Sequence, residues 1–271
     1  MKGSIVHPNL KAVIFDWAGT MIDFGSRAPV IALCRLFADH EVPITEAEAQ
    51  EDMGRAKWDH IACLLAKPRI AAAWAEAHGA PPVETDARML FDRIGPAMTE
   101  AARDCAVLIP GAAEVAGVLQ QAGVKIGSCT GYTREMMAAI LPLAAEQGYR
   151  PDCVVCAGET TEGRPSPLMA WKNLVELGAW PAGACVKVDD TEVGLAEGRN
   201  AGLWTVAVAA TGNALGLSAA DLAALPAAER EARLAAARAR LSAAGAHRVI
   251  DSVADLPAAL AELPIGQPAP A

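Results

Sequence analysis

Long uncharged hydrophobic runs are missing from this sequence. Nowhere in its 271 residues does an apolar stretch approach the roughly 18 residues that a membrane-crossing helix needs. The opening residues, Met1 to Pro8, also lack the apolar core of a signal peptide. A cytoplasmic protein with no membrane partner is the expectation. Aromatic residues are scarce at 4%, so the core has to be aliphatic, and a heavy alanine bias fits that. Positive charge is in deficit, with 23 Lys and Arg against 32 Asp and Glu and a net charge of −9. That balance excludes an extended surface for a phosphate backbone, and with it nucleic acid as a partner. A small anionic substrate remains compatible, because local arginines and a metal override the mean field. The seven cysteines are odd in number and scattered in a chain too large to need disulfide staples. Cys153 and Cys156 have CxxC spacing, but no second pair exists to complete a zinc site. Cys153-Val154-Val155-Cys156 also reads as a strand, whose residues three apart point to opposite faces, so buried structural thiols are expected.

What is present is an α/β alternation organised around Lys11-Ala12-Val13-Ile14-Phe15-Asp16-Trp17-Ala18-Gly19-Thr20. The apolar run Ala12 to Phe15 reads as a buried strand of a parallel sheet, with an aspartate at its carboxyl end, where open α/β sheets bind ligands. From Gly25 to Arg103 nothing reads as a strand. Helical patterns run over Ala28–Asp39, Glu46–Ala66 (with a break at Gly54), Pro68–His78 and Thr85–Arg103. The α/β rhythm resumes at Val107, with strands expected at Val124–Ser128, Cys153–Cys156, Ala184–Val188, Trp204–Ala209 and Arg248–Ile250. The helices between and after them are expected at Ala112–Ala122, Glu135–Gln147, Pro167–Leu177, Ala219–Ala244 and Val253–Leu263. The tail Pro264–Ala271 is expected to be disordered. The chain is therefore expected to hold a doubly wound parallel-sheet α/β core, residues 1–24 and 104–271, interrupted by an all-helical domain, residues 25–103.

Four positions follow strands or their loops and would meet at one sheet edge: Asp16, Thr130, Arg164 and the Asp189-Asp190 pair. Asp16 suits a carboxylate nucleophile. Thr130 and nearby backbone N–H groups suit phosphoryl oxygens. Arg164 is a fixed cation for a phosphoryl transition state, and Asp189 and Asp190 with Asp16 supply the hard oxygens of a Mg²⁺ site. Each has an ordinary alternative: a helix cap for Thr130, a surface ion pair for Arg164, a solvated turn for the aspartate pair. Their occurrence together and in this order is what makes coincidence a poor account.

This order of motifs resembles the haloacid dehalogenase superfamily, in which an aspartate takes up a phosphoryl group and a helical cap is inserted soon after the first motif. More narrowly, Asp16-Trp17-Ala18-Gly19-Thr20-Met21, Met53-Gly54-Arg55-Ala56-Lys57-Trp58-Asp59-His60, Gly127-Ser128-Cys129-Thr130-Gly131-Tyr132-Thr133-Arg134-Glu135-Met136-Met137 and Glu197-Gly198-Arg199-Asn200-Ala201-Gly202 resemble the phosphonatase family. The resemblance covers nearly the whole chain. It implies hydrolysis of the carbon–phosphorus bond of phosphonoacetaldehyde in 2-aminoethylphosphonate degradation. The implied catalytic residues are Asp16, Lys57, His60, Thr130 and Arg164, with substrate contacts from Met53, Gly131 and Tyr132. The implied Mg²⁺ site is Asp16, the Ala18 carbonyl, Asp190 and Asp189, and a homodimer is implied as well. Two departures stand out. Some members carry a second acid four positions after the Asp190 equivalent, where this chain has Gly194, so Asp189 is expected to serve as the outer carboxylate. Some have a cysteine where this chain has Ser26.

The residue types fit carbon–phosphorus cleavage. Ester-cleaving relatives carry a second aspartate two residues after the nucleophile, a general acid of a kind worth about 10²–10⁴-fold; here that position is Ala18. A carbon leaving group needs an electron sink instead, and an imine between a lysine and the substrate aldehyde supplies one. Lys57 is the candidate, on one helical face with Met53 and His60 at i, i+4 and i+7 spacing. A solvated Lys57 and a core Met53 are the ordinary alternative. Two competing functions remain at this point: a phosphate-ester phosphatase or mutase of the same superfamily, and a catalytically inert binding scaffold.

Overall fold

The structure, a computed structural model, describes residues 7–51 and 57–269. The chain divides into two compact units, one of residues 1–27 and 105–271 and one of residues 28–104. Residues 25–27, expected within the insertion, cluster with the α/β unit, because the Gly25 N–H donates to the Thr211 carbonyl at 2.7 Å and the Arg27 N–H to Asp23 at 2.9 Å.

The α/β unit is built on a six-stranded sheet: β1 (Ala12–Phe15), β2 (Lys125–Cys129), β3 (Cys153–Val155), β4 (Cys185–Asp189), β5 (Trp204–Val208) and β6 (Arg248–Ile250). The spatial order is β3-β2-β1-β4-β5-β6, and every pairing is parallel. The chain runs outward from β1 through β2 to β3, then crosses back to β4 on the other side of β1. That reversal makes the carboxyl end of β1 a topological switch point, the place where such sheets bind ligands. All four residues of β1 are fully buried, as a strand covered on both faces requires. Ala12 and Ile14 belong to a cluster with Met169, Ala170 and Leu174 of a helix over Leu168–Leu177. Phe15, pointing the other way, forms a T-shaped pair with the Tyr149 ring.

The 28–104 unit holds helices and no strand among its described residues: α1 (Ala28–Ala38), α2 (Glu46–Gln50), α3 (Lys57–Ala66), α4 (Pro68–His78) and α5 (Glu84–Asp104). Thr45 caps α2 in a reciprocal box with Glu48, satisfying backbone donors that would otherwise be orphaned. The break expected at Gly54 lies outside the described residues. In the α/β unit the helices are α6 (Ala112–Gln121), α7 (Arg134–Glu146), α8 (Leu168–Leu177), α9 (Glu192–Asn200), α10 (Ala219–Ala224), α11 (Ala227–Ala243) and α12 (Leu256–Glu262).

Two expectations require correction. The helix expected over Ala219–Ala244 is two helices, because Pro226 cannot donate an N–H and pushes Leu225 into extended backbone. The tail expected to be disordered is tied down over its first residues. Ile265 is buried, the Gly266 N–H donates to the Gly183 carbonyl at 2.8 Å, and Asn9 bonds the Ile265 carbonyl.

Candidate active site

Parallel strands deliver their carboxyl ends to one edge, and four of the expected residues arrive there directly. Asp16 follows β1, Thr130 follows β2, and Asp189 closes β4 with Asp190 beside it. Arg164 comes from the loop after β3 and completes the group. Its Nη2 lies 2.7 Å from both Asp16 Oδ1 and the Cys129 carbonyl, its Nε lies 3.1 Å from Glu197 Oε2, and its Nη1 lies 3.6 Å from Asp189 Oδ2. A guanidinium fork can meet several oxygens at once in a fixed plane, and it remains charged when buried.

Asp16, Asp189 and Asp190 are all buried, and each offers an oxygen within 4.8 Å of those of the other two. Two buried groups extend the cluster: Lys187, whose Nζ lies 2.9 Å from Asp189 and 3.3 Å from Glu197, and Glu197 itself. Four buried carboxylates thus face two cations. Burial pushes the Asp16 carboxyl up to about 6, with Arg164 opposing it and Asp189 adding to it. Burial, then the Asp16 and Asp189 charges, push Asp190 well above the usual carboxylate range. Burial acts on Asp189 too, but Lys187, Arg164 and Thr191 outweigh it and hold its carboxyl low. One oxygen of Asp190 has no hydrogen-bond partner among the described residues. Surplus negative charge, an orphaned carboxylate oxygen and hard-oxygen donors together fit a divalent metal.

The turn after β1 is held against this cluster. Gly19 has φ +79°, and a Cβ there would fall 2.4 Å from Asp190 Oδ2, so neither the backbone nor the space admits a side chain. Thr211 donates to the Gly19 carbonyl at 2.7 Å, and the Asn213 N–H donates to Asp190 Oδ2 at 2.7 Å. Ala18 sits within this turn and is bridged to Ile22.

Thr130 is buried, and its hydroxyl accepts the Tyr132 N–H at 3.1 Å, while Gly131 is exposed. The Tyr132 hydroxyl is buried without a partner among the described residues. Burial and the nearby Asp23, Asp16 and Asp190 charges keep it protonated well beyond its ordinary range. In the helical unit Lys57 opens α3, half-buried, and desolvation lowers its amine below the ordinary lysine value. His60 is fully buried with Nε2 2.9 Å from the Ala49 carbonyl. A carbonyl only accepts, so this contact places the proton of the neutral ring on Nε2. Met53 lies outside the described residues.

Lys187 and Glu197 were not singled out from the sequence. The signal for the first was a lysine inside the apolar run Ala184 to Val188, a position that demands a buried counter-charge. For the second there was only its place in a motif. The two cysteines of the CxxC spacing are both free thiols.

The haloacid dehalogenase-like hydrolase family model matches residues 10–202. A phosphonoacetaldehyde hydrolase from Paraburkholderia phytofirmans is 52% identical over 248 residues, 92% of this chain and 93% of that protein. The chain belongs to the phosphonoacetaldehyde hydrolase family of haloacid dehalogenase-like hydrolases. A further member, from Hahella chejuensis, is 48% identical across 93% of this chain and 85% of its own length. The crystal structure of a phosphonoacetaldehyde hydrolase-like protein from Oleispira antarctica superposes with a TM-score of 0.82 at 43% identity, covering 97% of both chains. The family is one of enzymes, and its parallel-sheet core is the one described above. No described helix is long and apolar enough to cross a membrane.

Proposed function

We propose that this protein hydrolyses the carbon–phosphorus bond of phosphonoacetaldehyde, giving acetaldehyde and phosphate in the degradation of 2-aminoethylphosphonate. Relatives of that name support the reading. The observation within the site that carries it is Ala18, which occupies the turn beside Asp16 and has no proton to give a departing alkoxide. The chemistry must therefore not need one there.

The sequence of bonds follows. The neutral amine of Lys57 attacks the aldehyde, the carbinolamine takes up a proton from solvent and loses water, and a protonated imine results. Asp16 attacks phosphorus, the carbon–phosphorus electrons pass into the imine, and an enamine and an aspartyl phosphate result. Protonation of the enamine carbon and hydrolysis of the imine release acetaldehyde and free Lys57, and water cleaves the aspartyl phosphate. His60, with its proton on Nε2, is suited to moving protons during the imine steps. Arg164 stabilises charge on the transferring group while remaining fixed by Glu197. Thr130, Gly131 and Tyr132 bind the phosphonate oxygens, and Met53 is taken as a further substrate-binding residue.

The metal is read as Mg²⁺, held by Asp16, the Ala18 carbonyl and Asp190 with Asp189 in support; bound there, it would offset repulsion between carboxylate and phosphonate. We further propose a cytoplasmic homodimer in which the inserted helical unit, expected over residues 25–103 and found over 28–104, serves as the cap domain.

The test is release of acetaldehyde and phosphate in equal amounts from phosphonoacetaldehyde, assayed beside simple phosphate esters. Turnover of the esters alone would replace this reading with that of an ordinary phosphatase.

A further inference from the structure

The turn that follows Asp16 is held by a side chain from far along the sequence. Thr211, just beyond β5, is buried, and its hydroxyl donates to the Gly19 carbonyl at 2.7 Å across a separation of 192 residues. Its own carbonyl accepts the Gly25 N–H at 2.7 Å. The segment carrying Thr211 is fixed in turn. The Ala210 N–H donates to the Asp251 carbonyl at 2.9 Å, and Arg238 of α11 grips the Asp251 carboxylate through contacts of 2.8 and 2.6 Å. Gly19 itself, at φ +79°, is the residue of that turn with the widest backbone freedom. A planar trans peptide points its N–H and C=O in opposite directions. The Gly19 N–H donates to the carbonyls of Ile22 at 2.8 Å and Asp23 at 3.1 Å, so the Ala18 carbonyl is aimed away from both. The next peptide plane is held through the Gly19 carbonyl by Thr211.

We propose that Thr211 is a positioning residue for the reaction at Asp16. Its hydroxyl is the tether that restrains the flexible Gly19, and through it the backbone from Asp16 to Thr20, in one arrangement. The donor is what matters: without it the buried Gly19 carbonyl is left unpaired, and the turn relaxes to find another partner. Thr211 acts through Gly19 and not on the substrate. The tether stands on the contacts above; its bearing on catalysis rests on the function proposed for the site.

The experiment compares Thr211→Val, which keeps the shape and removes the donor, with Thr211→Ser, which keeps the donor. Two readouts are taken well below the unfolding temperature: amide hydrogen exchange of the peptide spanning residues 17–23, without substrate, and steady-state kinetics on phosphonoacetaldehyde. In Thr211→Val, exchange in that peptide quickens by about fivefold or more, the weight of one buried hydrogen bond, while peptides of β2 and β4 keep their protection. Its kcat falls by about 10- to 100-fold, as a small misplacement of reacting groups costs, with KM changed far less. Thr211→Ser recovers most of both losses. Natural exchange and natural kcat in Thr211→Val would overturn the proposal. So would a loss of protection spread evenly over the sheet with kcat per folded molecule unchanged, which is the mark of a structural role alone. If Thr211→Val does not fold, Thr211→Ala takes its place, and failure of both to fold also overturns the positioning role. If the natural protein does not cleave phosphonoacetaldehyde, the functional reading falls, and the exchange comparison still decides whether Thr211 tethers the turn.

Discussion

Arg164 holds Asp16 at 2.7 Å through one arm of its guanidinium while Glu197 holds its Nε at 3.1 Å. The candidate nucleophile is thus gripped by a cation whose own position is fixed by a fully buried carboxylate on a helix. A lysine carries the same charge but cannot span Asp16, Glu197 and the Cys129 carbonyl together. Arg164→Lys is expected to lower kcat by about 10²-fold or more, the magnitude of losing a preorganised transition-state donor. Steady-state kinetics on the phosphonate checks this, and near-normal turnover would contradict it.

Glu197 also serves Lys187, so its removal leaves two buried cations short of a partner. Glu197→Ala is expected to destabilise the fold by about 3–5 kcal/mol, as when one partner of a buried pair is deleted. Glu197→Gln, which keeps shape and an acceptor, should cost less. Denaturant unfolding of the two variants measures the difference, and equal small effects would show that the network carries little.

Gly19 is fixed by both backbone and space. Gly19→Ala forces a side chain into left-handed backbone against Asp190, at a cost of about 1–3 kcal/mol. The expected result is a lower Tm together with weaker Mg²⁺ binding, because the residue displaced is a candidate ligand. An unchanged Mg²⁺ affinity would separate Asp190 from the metal.

Desolvation lowers the amine of Lys57 below its ordinary 10.5. The unfolded chain then holds that proton more tightly than the folded one. This group's contribution to stability is unfavourable below the folded pKa, rises with pH, and levels off above 10.5. In reactivity the same shift makes the neutral amine available at lower pH. Borohydride trapping of the imine should therefore titrate with a midpoint below that of free lysine, and Lys57→Arg should abolish it. Trapping at another lysine would remove Lys57 from its role.

Much of this architecture was legible in residue order. A four-residue apolar run ending in an aspartate is a buried parallel strand presenting a carboxylate at its end, and Asp16 is found there. The chemistry of Arg164 could be read too, because a guanidinium in a loop after a strand has one sheet edge to reach. Lys187 and Glu197 were not legible, since their meaning lies in a contact between a strand and a helix. Alanine-rich periodicity hid the break at Pro226, and the apolar Ile265 in the tail was outvoted by its proline and glycine neighbours.

The central claim is carbon–phosphorus cleavage through a Lys57 imine and an aspartyl phosphate on Asp16. The most direct test is mass spectrometry of the protein quenched with borohydride during turnover of phosphonoacetaldehyde. The account predicts a reduced two-carbon adduct on the peptide bearing Lys57, formed with release of phosphate, and no such adduct in Lys57→Arg. Sustained phosphate release from phosphonoacetaldehyde by Lys57→Arg, with no adduct on any lysine of the natural protein, would contradict it.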